Sequence, residues 1–447
     1  MSFQDYPDEI LRFDEENEAF PSPLSSQKPR VGALGLVARF LVAVGSILFF
    51  VWAFFGTKLL PNLFWSLGVF GALFLGGVLW SVASYGGKPA GIRNDGVFFG
   101  AGTSRGWIAW ILGLVFTLFY VLLYWFPNGV AGLVNLVDPI SQGLFNLRAD
   151  HWFLYGFLYT LAVLVMGIRM LYRYRHNRYQ IFRTLSVMFF QTIFAFTIPH
   201  LLQLFNQPEF YFTYFWPLKY NYLFPRDFHW LLSQPGGLPV FMAFWTVAVS
   251  FLVVPVLTYF VGKRWYCSWV CGCGGLAETL GDPWRHLSSK KVSAWKLERF
   301  LIYFILLIIV LLTALLWVNS AMEGGLLGGF SQSFASWYGF LIGSLFAGVI
   351  GVGFYPILGS RVWCRFGCPQ AAILGILQRV FSRFRITTNG GQCMSCGNCS
   401  TYCEMGIDVR AYAQRGEDVL RASCVGCGIC SAVCPRGVLK LENGGGG

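Results

Sequence analysis

Charge is scarce in this chain: only 12% of its 447 residues are Asp, Glu, Lys or Arg, about half the roughly 25% usual in soluble domains. Histidine is scarcer still, with 5 copies, and cysteine is missing altogether before Cys267. No Asp or Glu falls in the middle of a long apolar run. No phosphate-cradling glycine loop, dinucleotide fingerprint or nucleophile–base pair is present. Each absence excludes something. The charge content rules out an ordinary soluble core. The five histidines rule out a ladder of bis-His haems, because only His200 lies inside an apolar run. His151 and His229 fall in outer loops, and His176 and His286 in inner ones. Without mid-span carboxylates there is no acidic proton relay, so ion pumping by this chain alone is not expected. The net charge of +12 is spread over loops and forms no soluble basic patch, which excludes nucleic acid as a partner.

What the chain has is hydrophobicity, at 55%. Several nearly charge-free stretches approach the 20 residues needed to cross a bilayer. Eight spans are read, at 33–56, 61–84, 107–126, 152–171, 184–206, 238–261, 298–318 and 336–358. Lys and Arg alternate strictly between the connecting loops. They crowd the 2–3 loop (Lys88, Arg93, Arg105), the 4–5 loop (Arg173 to Arg183), the 6–7 loop (Lys263 to Lys296) and the segment after span eight (Arg361 to Arg385). The other loops are nearly bare. By the positive-inside rule both termini and every cysteine face the cytoplasm. The expected location is a prokaryotic inner membrane, with lipid as the first partner. The first 20 residues carry seven acids against Arg12, and read as a solvated tail rather than a cleavable signal.

All 13 cysteines lie between Cys267 and Cys434. Cys393, Cys396, Cys399 and Cys403 read C-x2-C-x2-C-x3-C, and Cys424, Cys427, Cys430 and Cys434 repeat it, followed by Pro435. This is the two-cluster ferredoxin spacing, in which the fourth Cys of each run reaches the other [4Fe–4S] cube. The expected sets are Cys393, Cys396, Cys399 and Cys434 for one cube, and Cys424, Cys427, Cys430 and Cys403 for the other. Zinc favours two separated C-x2-C pairs, and disulfides need an oxidising compartment. One departure is Glu404, standing where the first run would carry Pro.

A second repeat sits in the membrane half. Gly262-Lys-Arg-Trp-Tyr-Cys267-Ser-Trp-Val-Cys271 and Gly359-Ser-Arg-Val-Trp-Cys364-Arg-Phe-Gly-Cys368 both read G-x-R-x-aromatic-C-x-aromatic-x-C, 97 residues apart. Spans 5–6 and 7–8 are therefore read as duplicated hairpins. C-x3-C places two thiols one turn apart on a helix, so four thiols (Cys267, Cys271, Cys364, Cys368) are expected to converge at the cytoplasmic membrane edge. Free structural thiols, a redox-active dithiol pair and a third metal centre are the competing readings, and an all-cysteine donor set suits Fe–S first, with zinc or Cu(I) as alternatives. Cys273 has no cysteine counterpart in the second copy.

The remaining candidates are weaker. His200 follows Pro199 with Gln191 and Gln203 nearby, and reads either as a quinone partner or as a residue capping a kinked helix. Arg39 and Arg169 near span ends are expected to snorkel. The aromatic 5–6 loop is expected to form an interfacial belt, or to roof a quinone pocket with Asp227 and His229.

Over residues 184–440 the paired C-x3-C motifs followed by a two-cluster module resemble the NapH/NosR/MauN-type membrane polyferredoxins. Cys364, Cys368 and Pro369 fit that family's C-x3-C-P. Cys267 and Cys271 fit the other copy, with Gly272 in place of Pro. The resemblance implies membrane-bound electron transfer, often quinol-linked, beside a partner that performs the terminal chemistry. Spans 1–4 depart from the compact members. The expected fold is all-α and polytopic with a small C-terminal α+β ferredoxin-like domain. Its parts are an acidic tail (1–32), a four-helix region (33–183), duplicated hairpins (184–385) and the ferredoxin domain (386–443). The expected function is that of an electron-transfer subunit of an oxidoreductase complex. It would exchange electrons with a soluble cytoplasmic donor or acceptor and with a quinone or partner redox subunit. A metal-reducing assembly factor for a respiratory oxidase or reductase and a membrane anchor of a larger complex are the alternatives.

Overall fold

The computed structural model describes residues 32–86, 103–382 and 384–443. The acidic segment up to Val31, the topology residues Lys88, Arg93 and Arg383, and the final glycines lie outside the described residues.

Among the described residues, eight helices are long and apolar enough to cross a membrane: Ala33–Phe55, Leu63–Tyr85, Trp107–Trp125, His151–Arg173, Arg178–Leu204, Gly237–Phe260, Val292–Ala321 and Phe330–Ile350. They coincide with the eight runs read from composition, and the protein is an all-α multi-pass membrane protein with a small mixed module. Three starts, those of spans five, seven and eight, are earlier than apolarity alone suggests. Span five begins at Arg178 because the Asn177 side chain accepts the Gln180 N–H at 3.3 Å, which caps a polar turn ahead of the apolar run. Span eight begins at Phe330, where the helix extends beyond its most apolar stretch.

The 3–4 connection is not the plain loop that was expected. It holds the amphipathic helix Ala131–Phe145, whose Leu133, Leu136 and Val137 pack with Trp52, Phe70 and Phe153 of spans one, two and four. Spans one to four are thereby tied into one bundle, with Ser66 Oγ donating to Leu136 O at 2.6 Å. This bundle joins the duplicated half through Arg105, which donates to Ile357 O (2.9 Å) and Leu287 O (2.7 Å).

The two copies of the repeat share local irregularities. Wide π-type turns occupy Val249–Val253 in span six and Gly339–Ile350 in span eight, so both end 14 residues before the first motif cysteine (Val253 to Cys267, Ile350 to Cys364). Such turns cluster at functional sites. Gly262 and Gly359, the matching motif glycines, both have positive φ (+76° and +92°), a conformation that glycine adopts without strain.

The aromatic 5–6 loop is not an interfacial belt. Phe210 and Phe215 are buried, and the loop folds inward until Thr213 O accepts the Tyr266 hydroxyl at 2.6 Å. Trp216 Nε1 donates to Thr313 Oγ1 of span seven at 3.0 Å. Indole and phenol tips need partners when buried, and these contacts supply them.

The C-terminal module pairs strands β1 (Phe384–Thr388) and β2 (Leu439–Asn443) antiparallel, from Phe384↔Asn443 to Thr388↔Leu439. Short helices Asn398–Thr401, Val409–Arg415 and Ile429–Ala432 complete it. It is bound to the membrane half by hydrogen bonds to main chain: Tyr179 to Gly426 O (2.7 Å), Gln180 to Cys427 O (2.7 Å) and Lys263 Nζ to Val419 O (2.7 Å).

Candidate functional site

In the module the eight ferredoxin cysteines gather around two small cavities. One is lined by Cys393, Cys396, Cys399 and Cys434, the other by Cys403, Cys424, Cys427 and Cys430. Each set takes three thiols from one run and one from the other. Gly397 and Gly428 follow the second Cys of their runs by one residue, both in the left-handed region (φ +75° and +71°), and turn the chain so that the third thiol comes back toward the same cavity. The first cavity lies at the surface, where Cys396 is exposed. The second lies against the membrane half. Burial pushes the Cys399 thiol up to about 12 and raises Cys427 and Cys430 as well. Among the described residues no three His, Cys, Asp or Glu side chains are gathered tightly enough for a single metal ion. Four thiols spread around one cavity fit a multi-iron cluster better than one ion, and binding would displace the thiol protons.

The C-x3-C thiols also come together. Cys267, Cys271, Cys364 and Cys368 are all buried and share one core cluster. The motif is not one continuous helical turn, as the spacing suggests. The helix Trp265–Trp269 ends, Cys271 is extended and heads the helix Gly272–Glu278, and Cys368 likewise heads Pro369–Phe381. The copies clasp each other. Arg264 Nη1 donates to Cys364 O at 3.1 Å, and Arg361 Nη1 donates to Cys267 O at 3.2 Å. The two arginines are equivalent under the 97-residue repeat, so the contact is reciprocal. Arg361 Nη1 also stands 3.7 Å from Cys364 Sγ. Burial, together with the neighbouring thiols, pushes Cys267 and Cys368 up. Cys271 is lowered to about 7, first by a hydrogen bond with the Cys273 side chain. Cys273 thus joins the group as a fifth thiol. Trp363 Nε1 and Gln370 Nε2, beside Cys364 and Cys368 in sequence, are buried donors without a partner among the described residues. Sulfur acceptors of a bound cluster would satisfy them.

Span five leads from the module to this site. Its Gln180 meets Cys427, its Ser186 Oγ donates to Trp269 O (3.1 Å) and its Gln191 Nε2 donates to Val270 O (2.7 Å). From Gln180 to Gln191 a helix rises roughly 16 Å. Beyond that level Tyr159 donates to Gly272 O at 2.7 Å.

Between the module and the C-x3-C site lies a group of buried charges that sequence reading missed. Asp282 pairs with Arg169 (2.5 Å), Arg173 (2.6 Å) and Arg285 (2.7 Å). Glu278 pairs with Arg183 (2.6 Å), Arg285 (2.9 Å) and Arg361 (2.8 Å). Glu404 pairs with Arg361 (2.9 Å) and more distantly with Arg285 (3.7 Å). Despite burial, the surrounding arginines hold Asp282 and Glu278 well below the usual carboxylate range. For Glu404 burial wins and its carboxyl is raised. Arg169 therefore does not snorkel: its side chain is fully buried on Asp282, because a carboxylate from the 6–7 connection comes to it. The signal was present in the Arg of each G-x-R motif and in Glu404 itself. His200 is held by Phe196 O at 2.6 Å, among the rings of Phe145, Phe153 and Phe196.

The chain matches a family described as "4Fe-4S binding domain" over residues 243–294 and 339–387, the two C-x3-C copies with their leading spans. A second "4Fe-4S binding domain" family matches residues 419–440, which hold Cys424 to Cys434. Over 185 residues the chain is 28% identical to "Putative electron transport protein YccM" of Escherichia coli (strain K12), covering 39% of this chain and 50% of that protein. Over 161 residues it is 25% identical to "Uncharacterized protein MJ0749" of Methanocaldococcus jannaschii, covering 35% and 58%. The chain spans about half the length of these curated relatives. No solved structure matches. The chain carries two regions that match 4Fe–4S binding domains, on a multi-pass helical scaffold.

Proposed function

We propose that the protein is a membrane electron-transfer subunit whose thiol sites form one line. Cys393, Cys396, Cys399 and Cys434 hold the outermost cluster. Cys403, Cys424, Cys427 and Cys430 hold an inner one. Cys267, Cys271, Cys364 and Cys368 hold a third centre within the membrane half. A [4Fe–4S] cluster, when bound, supplies a one-electron carrier. The protein's own residues set the order. The observation that carries the reading is the pair of motif arginines. Arg264 Nε donates to Ala422 O at 2.9 Å, two residues before Cys424, while Arg361 reaches Glu404, the neighbour of Cys403. Both arginines thus join the C-x3-C site to the flanks of the same inner set. The exposed Cys396 marks the end that a soluble donor or acceptor meets. At the opposite end Tyr159, Gln191 and Gly272 form the side from which a quinone or a partner redox subunit would be served.

This reading extends the NapH/NosR/MauN resemblance and takes the module side as the cytoplasmic face of an inner membrane. Iron and labile-sulfide analysis of the protein purified in mild detergent tests it. Three cubanes' worth of iron is expected, against two if the C-x3-C thiols stay free. Cys403→Ser should remove the cluster held with Cys424, Cys427 and Cys430; loss confined to the set of Cys393, Cys396 and Cys399 would refute crossed ligation. Reporter fusions after residues 180 and 290 should read cytoplasmic, and those after 130, 220 and 325 periplasmic.

A further inference from the structure

Glu404 stands where the first ferredoxin run would carry Pro, and no ligand role explains it. In the structure its side chain is fully buried and points out of the module into the membrane half, onto Arg361 at 2.9 Å and toward Arg285 at 3.7 Å. Arg361 is the hub on the other side: it pairs with Glu278 at 2.8 Å, donates to Cys267 O at 3.2 Å and stands 3.7 Å from Cys364 Sγ. One carboxylate and one guanidinium therefore span the whole interval between Cys403 and Cys364.

Around them Arg183, Arg285 and Arg361 meet Glu278, Asp282 and Glu404, with every side chain at 0–1% exposure. Arg183 Nη1, Arg285 Nη1 and Arg361 Nε lack hydrogen-bond partners among the described residues. The pair has a thiol of each site at its ends: Cys403 precedes Glu404, and Cys364 Sγ stands 3.7 Å from Arg361.

We infer that the Glu404–Arg361 pair is an electrostatic relay that sets the reduction potentials of the inner ferredoxin cluster and the C-x3-C centre together and leaves the outermost cluster independent. Both residues are positioning residues, acting through charge rather than ligation. The inference rests on the proposed ligand sets. A purely structural latch would hold the module in place without moving the two potentials in a shared, sign-dependent way.

The test is a potentiometric titration followed by electron paramagnetic resonance, on the full chain in detergent. Signals are assigned with cysteine variants of each set. Glu404→Gln removes a negative charge and favours the reduced state. It should raise both inner potentials by about tenfold in the reduction constant, about 59 mV for one electron, and leave the outer cluster unchanged. Arg361→Gln should lower both. Glu404→Asp and Arg361→Lys, which keep the charges, should stay near wild type. Unchanged inner potentials, an equal shift of all three centres, or a shift of only one inner centre would overturn the relay. If Glu404→Gln fails to assemble, Arg361→Gln carries the same reading with the opposite sign. Wild-type iron content separately tests whether the C-x3-C centre exists: if it holds only two cubanes, the proposed function fails at that site.

Discussion

The two C-x3-C copies share a backbone and differ in what surrounds it. Each has a wide-turn helix, a positive-φ glycine, an arginine that clasps the other copy and a second cysteine that heads a new helix. Eleven residues after the first cysteine they differ in charge. Copy one carries Glu278, which takes Arg361. Copy two carries Gly375, where an added Cβ would lie 3.1 Å from Arg264 Nη2. Arg361 is thus held by carboxylates, while Arg264 is held by the carbonyls of Cys364 and Ala422. The cysteine frame is symmetric while the charge around it is one-sided, so in the proposed function the copies divide two tasks: holding a centre jointly, and wiring it to the module through one arginine more than the other.

The largest expected effect tests the joint task. Cys267→Ser and Cys364→Ser should each remove the C-x3-C centre completely, with equal loss of iron. If one variant keeps full iron, the copies act separately and the comparison fails. Next come the arginines. Arg361→Gln leaves Glu404 only the more distant Arg285, while Glu278 keeps Arg183 and Arg285, and should cost about 3–5 kcal/mol, as for a broken buried pair. Arg264→Gln strands only carbonyls and should cost about 1–3 kcal/mol. Thermal unfolding in detergent reads the difference, and equal losses would erase the asymmetry.

The 6–7 connection that supplies the carboxylates should also impose a pH dependence. His286 is lowered from 6.5 to about 4, by burial first and then by Lys290. The unfolded chain takes a proton below about pH 6.5 and the folded chain only near 4, so stability should fall by up to about 3 kcal/mol across that window. His286→Gln should flatten the slope there. Asp282 and Glu278, both lowered, contribute stability above their unfolded values and lose it only under stronger acid, so a second decline below about pH 4 should survive the substitution.

The smallest effect compares one position in both copies. An added Cβ at Gly272 would lie 2.2 Å from the Tyr214 hydroxyl, so Gly272→Ala should cost about 1–3 kcal/mol. Pro369→Ala at the matching site should cost about 0.4–1 kcal/mol. If Tyr214→Phe restores Gly272→Ala, the inward-folded loop explains why copy one lacks the proline.

The spans and the grouping of the module cysteines around two cavities were legible because each obeys a local rule: a run length for the bilayer, and a regular cysteine spacing. The buried charges were not. Arg173, Arg183, Arg285 and Arg361 satisfy the positive-inside count as well as any surface residue would, and nothing local says that Asp282 and Glu278 will meet them. The helix Ala131–Phe145 was missed because it carries Pro139 and Asp138 within an otherwise short apolar pattern. The 5–6 loop misled because interfacial and buried aromatics have the same composition. Only the partners of Tyr266 and Trp216 separate the two cases.

The reciprocal clasp also governs how the protein can be made. Arg264 and Cys267 leave the ribosome 97 residues ahead of Cys364 and Arg361. Until then the first half-site has a guanidinium without its carbonyl and two thiols without their counterparts. For the proposed C-x3-C centre, maturation is therefore a late event: iron would be delivered in final form only after both hairpins have been inserted, and a stalled or truncated chain would offer no finished seat.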